Sequence, residues 1–441
     1  MKKILILAYD FPPFLSVGAI RPYHWFLHFK EAGLMPIVVT RQWNEQYAGK
    51  KQYVAPGYSD KVDIEESDSG IIIRAPYKPN LSNRLLLKYG ENRYRRIRKL
   101  LTGFVEIFQW RFNIGPRKSI YNAAKEYLDK NKVDVIIATG EPFILFKFAY
   151  KLSQKFNIPW IADYRDPWID PNVNQNLQTK FLSWFNRRQE RRLLKSAAFA
   201  SITSKYFKKI VSDNVGDKDF VISPNGFDLD VNDIVPIQQS LDKFIITYIG
   251  RIYPYYPVES FFEVADNFIK EEQIDNLEIR FIGVSGDTDI NGLIDLKFPE
   301  LKKYVKIIPP VLGNNLFREL KVSNLLLLFN MYSIIGTKIY NYIAANRQII
   351  QCFNEDELGL KLKERFWKSD WLDLYPASRM IVEKNAGVVV KDKEHLYECF
   401  RKFYQEHKEK GFVQCNAGDI SEYSRKELSK KLACIILEQI K

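Results

Sequence analysis

What most constrains this chain is an alternation of short apolar runs with helix-length amphipathic stretches. In the first half the runs are Ile4–Ala8, Ile37–Thr40, Ile71–Arg74, Val133–Thr139, Trp160–Asp163 and Phe199–Thr203. In the second they are Phe244–Gly250, Ile279–Gly283, Val305–Ile308, Leu325–Phe329, Gln348–Cys352 and Gly387–Val390. A strand covered on both faces by crossover helices reads as such a run, because both of its side-chain rows are buried. The pattern predicts an α/β protein with two doubly wound, Rossmann-like sheets. At 441 residues the chain also exceeds the size at which one hydrophobic core stops growing. The turn residues Ser223-Pro224-Asn225-Gly226-Phe227-Asp228 and the polar stretch to Asp242 mark the boundary. The predicted division is therefore 1–222, a linker at 223–242, a second domain at 243–422 and a final helix at 423–441. Two excursions interrupt the alternation, Gln42–Arg117 and Asn354–Met380.

Several function classes are disfavoured early. The apolar start Ile4–Ala8 stops at Asp10, too short for a secretion signal, and reads as a buried first strand. Leu325–Gly336 contains Asn330 and is too short to span a bilayer, so no transmembrane helix is expected. Cys352, Cys399, Cys415 and Cys434 form no CxxC pair and meet no histidine at ligand spacing, which predicts reduced thiols, no metal site and a cytoplasmic setting. The net charge of +13 is uneven: ten basic residues fall between Leu81 and Lys118 against Glu91 and Glu106. A second cluster comprises Arg187, Arg188, Arg191, Arg192 and Lys195. No base-reading module accompanies these patches, so nucleic acid is not the expected partner. The stretch around Arg93–Phe112 mixes cations with Leu100, Leu101, Phe104, Val105, Phe108 and Trp110. That mixture fits a helix lying on an anionic membrane as well as a solvated helix packed on the domain.

Ligands of open α/β sheets sit beyond the carboxyl ends of strands, so the residues following each run carry the interest. After the first comes Tyr9-Asp10-Phe11-Pro12-Pro13-Phe14-Leu15-Ser16-Val17-Gly18-Ala19-Ile20-Arg21, with no GxGxxG to suggest a dinucleotide site. Later come Asp134–Thr139 followed by Gly140-Glu141-Pro142, and Asp163-Tyr164-Arg165-Asp166-Pro167-Trp168. Asp163 and Asp166 could pair with Arg165, or hold a metal, although no histidine or third carboxylate stands nearby. In the second half, Gly250-Arg251 follows a strand and Gly336-Thr337-Lys338 precedes a helix. Free amides, the positive helix end and a lysine then converge where phosphates could lie, unless the turn is only a cap. Arg251 offers a fork suited to a diphosphate.

The order and spacing of these strings resemble the bacterial family 4 glycosyltransferases, retaining enzymes of GT-B architecture, over nearly the whole chain. The likeness rests on the first loop with Gly33–Thr40, on Asp134–Pro142, Ile158–Trp168, Ile246–Pro254, Ile334–Ala345 and Glu383–Val390, and on Tyr423-Ser424-Arg425. It implies two Rossmann-like domains facing across a cleft, the first binding acceptor, the second binding a nucleoside diphosphate sugar, and a last helix crossing back. It also implies a metal-independent, configuration-retaining hexosyl transfer in cell-surface polysaccharide biosynthesis (capsule or O-antigen), with no cofactor beyond the donor. By this resemblance Asp163, Arg165 and Asp166 are catalytic. Gly250, Arg251, Gly336, Thr337, Lys338 and Asn341 bind donor, and Gly18, Arg21 and Glu141 face the acceptor. The acceptor is a glycan or a lipid-linked glycan, with peripheral contact to the inner membrane face through Arg84–Lys118. The chain departs from the family where Asn341 replaces a glutamate, where Tyr255-Tyr256-Pro257-Val258 replace a lysine-bearing stretch, and where no histidine neighbours Arg165. These departures motivate a second reading, a catalytically weak donor-binding or scaffolding relative in a polysaccharide assembly complex. A sugar-nucleotide epimerase shares the architecture, but its carboxylate-rich site is not evident.

Overall fold

The computed structural model describes residues 1–14, 16–46, 49–169, 177–228, 237–284, 289–311, 313–367 and 375–440, with backbone alone for 177–180. Part of the expected linker (229–236), part of the second excursion (368–374) and Leu15 of the first loop lie outside the described residues. The chain divides into two compact units, Met1–Pro224 with Arg425–Lys441, and Asn225–Ser424.

The first unit is built on strands β1 (Lys2–Leu7), β2 (Leu34–Arg41), β3 (Asp63–Glu66), β4 (Ile71–Ala75), β5 (Val135–Gly140), β6 (Trp160–Tyr164), β7 (Ala200–Ile202) and β8 (Phe220–Ile222). Their spatial order is β3-β4-β2-β1-β5-β6-β7-β8, parallel throughout except where β3 runs antiparallel to β4. Ile4, Leu5, Ile6 and Leu7 are all fully buried, as a central strand with helices on both sides requires. The helix Val17–His28 covers one face, and the last helix Arg425–Gln439 lies beside it. Leu432, Ala433 and Ile436 of that last helix share a core with Ile4, Ile6, Trp25 and Phe29.

The second unit holds β9 (Phe244–Ile249), β10 (Leu277–Ile282), β11 (Val305–Ile308), β12 (Leu325–Phe329), β13 (Gln348–Cys352) and β14 (Gly387–Val389). They are ordered β11-β10-β9-β12-β13-β14, all parallel. The period of two is visible in β12: Leu325, Leu327 and Phe329 belong to one core, Leu326 and Leu328 to the other. Each core is roofed by its own helices, Val258–Glu271 with Lys393–Lys410 on one side and Thr337–Ala345 on the other.

Two strands were not anticipated. β3 lies inside the first excursion, and its sequence, Asp63-Ile64-Glu65-Glu66, is that of a charged edge strand rather than an apolar run. β8 is a short second-edge strand of half-exposed residues. The polar stretch at 237–242, read from sequence as linker, is bonded into the second unit. Gln239 donates to the Val413 carbonyl at 2.8 Å and accepts from Asn324 Nδ2 at 3.0 Å, and the Ser240 amide donates to the Val322 carbonyl at 2.9 Å.

One buried group fixes the carboxyl end of β6. Glu190, on the helix Leu177–Leu194, accepts from the Tyr164 hydroxyl at 2.9 Å and from Asn214 Nδ2 at 2.6 Å. Burial pushes its carboxyl up from 4.5 to about 7, although both hydrogen bonds favour the ionised form. The native state therefore keeps a proton that the unfolded chain releases above about pH 4.5. The stability this contributes is fully present below that pH and is lost as pH rises through 7. Glu190→Gln is expected to gain stability relative to the parent as pH rises from 4.5 to 7, with a constant difference above it. Urea unfolding followed by tryptophan fluorescence checks this, since six of the eight tryptophans lie in the first unit. A difference independent of pH would refute it.

Candidate functional site

In each sheet the crossovers change direction once, between β1 and β5 in the first and between β9 and β12 in the second. Loops leaving adjacent strands part at such a switch point and open a crevice there. The sequence-predicted residues gather at both.

At the first switch point, the helix Val17–His28 begins with Ser16, whose hydroxyl accepts from the Ala19 amide at 3.1 Å and donates to Asp10 at 2.8 Å. The carboxylate of Asp10 thus occupies the neighbourhood of the helix N-terminus that an anion would otherwise take. Arg165, from the turn after β6, reaches over Gly18: a Cβ there would lie 2.5 Å from the guanidinium and 2.9 Å from Asp10 Oδ2. A side chain at Gly18 would displace the guanidinium or the carboxylate from its present position. Arg165 pairs with Asp166 at 2.9 Å and lies 3.6 Å from Glu141. Both acids are well exposed, whereas Asp10 is largely buried with Oδ1 lacking a hydrogen-bond partner among the described residues. Burial raises the Asp10 carboxyl above its ordinary value, with Ser16, Arg165 and Arg41 pulling it back. In the sequence only its place in the loop that follows β1 marks Asp10.

Asp163 and Arg21 are placed differently. Asp163 is wholly buried, and Arg21 grips it through Nε at 3.1 and 3.2 Å and through a second nitrogen at 2.8 Å. The Ser201 hydroxyl donates to the same carboxylate. Arg21 also donates to the carbonyls of Ser223 and Pro224, at 2.9 and 3.3 Å. These bonds tie the first helix to β6, β7 and the chain end of the first unit. The two aspartates flanking Tyr164 and Arg165 therefore have separate surroundings, one inside with Arg21, the other outside with Arg165.

At the second switch point, β9 ends in Gly250, whose φ of 74° lies in the left-handed region that favours glycine. Arg251 follows, exposed and 5.3 Å above the Tyr253 ring. The loop from β12 delivers Gly336, extended at φ −71° and ψ 162°, as the cap of the helix Thr337–Ala345. The helix is clipped to β9 because the Ile249 amide donates to the Tyr342 hydroxyl at 3.0 Å. Lys338 leans from the first turn across Gly250, its ammonium 4.0 Å from the Tyr248 ring centroid and 5.7 Å from that of Tyr256. It donates to the Tyr248 hydroxyl and to the Arg251 carbonyl, the latter at 3.1 Å, while Tyr248 donates to that carbonyl at 2.6 Å.

Every one of those partners is neutral. Among the described residues no carboxylate pairs with Lys338, and burial alone brings its ammonium down from 10.5 to about 7. The fold thus places a desolvated lysine beside a helix N-terminus with no carboxylate paired to it among the described residues. Asn341, one turn further along the helix, is half-buried, and Ser333, at φ 63° in the loop before it, has a buried hydroxyl without a partner among the described residues. Gly250, Arg251, Gly336, Thr337 and Lys338 are thereby brought together. The stretch Tyr255-Tyr256-Pro257-Val258, which lacks the family's lysine, supplies in Tyr256 one of the two rings beside Lys338; the other, Tyr248, comes from β9.

The Arg21–Asp163 arrangement makes its own claim. Removing one partner of a buried pair leaves an uncompensated charge, which costs about 3–5 kcal/mol. Asp163→Asn should lower the unfolding free energy of the first unit by that order. A loss below about 1 kcal/mol would show that the pair is not the tie described.

No protein-family model matches the chain, and no curated protein matches it in sequence. Solved structures do. Sucrose-phosphate synthase from Thermosynechococcus elongatus is 14% identical with a TM-score of 0.56, over 100% of this chain and 96% of that one. Anabaena HepE in complex with UDP and glucose is 11% identical with a TM-score of 0.57, over 99% and 100%. WaaG, a glycosyltransferase involved in lipopolysaccharide biosynthesis, is 12% identical with a TM-score of 0.53, over 98% and 99%. At such identity the likeness speaks for the fold: two α/β domains with parallel sheets, the architecture of the GT-B glycosyltransferases.

Proposed function

We propose that this protein transfers a sugar from a nucleoside diphosphate sugar, held on the second unit, to a glycan or lipid-linked acceptor held on the first. The observation that carries the reading is Lys338: a desolvated lysine at a helix N-terminus, beside Arg251, without a carboxylate among the described residues. A diphosphate supplies the missing anion, and similar structures are described with UDP, or with UDP-glucose, bound. In this reading Lys338, Arg251 and the amides of Thr337 and its neighbours neutralise charge gathering on the departing diphosphate, the main demand of the step. Asn341 would meet the ribose hydroxyls as donor and acceptor together, without the charge of a glutamate. Arg165, with Asp166 and Glu141 on either side and Asp10 beneath, would face the transferred sugar and the attacking hydroxyl. Retention of configuration, independence from metal and a place in cell-surface polysaccharide assembly remain part of the proposal, on the family resemblance alone.

Binding should reveal the lysine through pH. A bound diphosphate restores the Lys338 proton, so affinity is greatest below the free-site value of about 7 and falls by up to tenfold per unit as pH rises above it. Calorimetry against a panel of nucleoside diphosphate sugars, beginning with UDP-glucose, is expected to show one tight donor with this profile. In Lys338→Ala the affinity should drop on the order of ten- to hundredfold and the pH dependence vanish. Absence of binding by every donor, or an unchanged Lys338→Ala variant, would overturn the assignment. Turnover of the bound donor then separates an active transferase from a donor-binding scaffold.

A membrane contact is the second part of the proposal. No described helix is long and apolar enough to cross a membrane. The helix Arg95–Phe108 has no buried residue, and Ile97, Leu100, Phe104 and Phe108 are exposed at helical spacing, with Phe112 beyond them. Arg93, Arg95, Arg96 and Lys99 flank this stripe, all exposed. An apolar stripe bordered by cations fits the headgroup layer of an anionic bilayer. Flotation with vesicles containing anionic phospholipid should carry the protein in low salt, and Phe104→Ser with Phe108→Ser should abolish it. Equal flotation with neutral vesicles, or none at all, would defeat this part.

A further inference from the structure

A cavity of about 390 Å³ opens in the first unit between the end of the Arg95–Phe108 helix, the turn after β5 and the helix Leu177–Leu194. Its apolar wall is aromatic: Tyr53, Trp110, Phe143, Trp168 and Phe185. Trp168 is the centre of this wall, stacked on Phe143 at 5.0 Å and 5° and on Trp110 at 4.9 Å and 29°. The wall is rigidly held. Buried Lys147 donates to the carbonyls of Gln109 and Phe112, on either side of Trp110, and buried Arg41 donates to the Tyr53 carbonyl at 2.8 Å.

Between the rings stand Glu106, Gln109, Arg117, Glu141 and Asn186. Arg117 pairs with Glu106 at 3.1 Å, and its buried Nε has no hydrogen-bond partner among the described residues. Two carboxylates, one guanidinium and two amides make a lining rich in both donors and acceptors, with one negative charge in excess. An anion entering would meet that excess. A neutral polyol would not: its hydroxyls donate to the carboxylates and accept from Arg117 and the amides, while its apolar ring face lies against the aromatic wall. Glu141 lines this cavity and also stands 3.6 Å from Arg165, so the cavity borders the charged cluster at the first switch point.

We infer that this cavity binds an uncharged sugar ring of the acceptor, stacked against the Trp110–Trp168 wall with a hydroxyl turned toward Glu141 and Arg165. This rests on the glycosyl-transfer reading and names its acceptor: a neutral glycosyl headgroup, not a phosphate. The surface outside supports the division of labour. Cations and exposed apolar side chains lie on the outer helix, including Phe181 and Trp184 on the Leu177–Leu194 helix, whereas acids and amides lie inside. An anionic lipid portion would stay on that outer face while the sugar enters.

The test titrates the whole protein with methyl glycosides of neutral hexoses and N-acetylhexosamines, and with the matching sugar 1-phosphates, following tryptophan fluorescence and saturation-transfer NMR. At least one neutral glycoside should bind in the millimolar range, and its charged counterpart about tenfold more weakly. Asn186→Ala and Phe185→Ala should each weaken the glycoside at least fivefold and raise the acceptor KM at unchanged donor affinity, which also certifies that the variants fold. Binding of no neutral glycoside, tighter binding of phosphates that Asn186→Ala and Phe185→Ala weaken, or glycoside binding indifferent to both substitutions would overturn the inference. Donor titration in the same sample separates the two failures: a bound donor without glycoside sinks the cavity assignment, and no bound donor sinks the transferase reading.

Discussion

Parallel strands deliver all their carboxyl ends to one edge of a sheet, and everything functional in this protein follows from that constraint. Because both sheets are parallel at their centres, the backbone cannot scatter its loops. The turn after β1 must meet the turns after β5 and β6, and the turn after β9 must meet the loop after β12. Residues far apart in sequence, Asp10, Glu141 and Arg165 in one unit and Gly250 and Lys338 in the other, become neighbours without any local signal linking them. The apolar runs supply the driving force. The polar groups ride on their ends.

Within that frame two charges are treated in opposite ways. Arg21 is buried with a carboxylate, a hydroxyl and two carbonyls around it, so its charge is satisfied inside the protein and its role is to hold elements together. Lys338 is desolvated among tyrosines and a carbonyl, which can accept its protons but cannot neutralise it. The first arrangement is architectural; the second leaves a desolvated cation whose charge no described residue compensates.

Most of the architecture was legible in the sequence. A strand buried on both faces has to be apolar along its length, and the runs beginning at Leu325 and Gln348 match β12 and β13 end for end. β3 escaped because an edge strand needs only one partner and can carry Asp63, Glu65 and Glu66 to solvent. The sites were legible only in part. Lys338 beside a helix start is a local pattern, visible in three consecutive residues. The difference between Asp163, sealed under Arg21, and Asp166, open beside Arg165, depends on contacts across 142 residues, which no spacing encodes. The aromatic wall is likewise assembled from separate segments: Trp110 reads from sequence as part of the cationic stretch and Trp168 as the end of the Ile158–Trp168 string, and no spacing stacks one on the other.

The desolvation of Lys338 has a chemical side. An ammonium whose proton is held only to about 7 spends much of its time at neutral pH as a free amine. Among the described residues burial also holds Lys147, Lys218 and Lys321 below the ordinary lysine value, Lys147 while donating to the Gln109 and Phe112 carbonyls. Burial thus gives Lys338 more free-amine character than an exposed lysine has at the same pH. Acylating reagents and aldehydes would find it among the more reactive lysines at neutral pH, and on the proposed reading a bound donor would shield it.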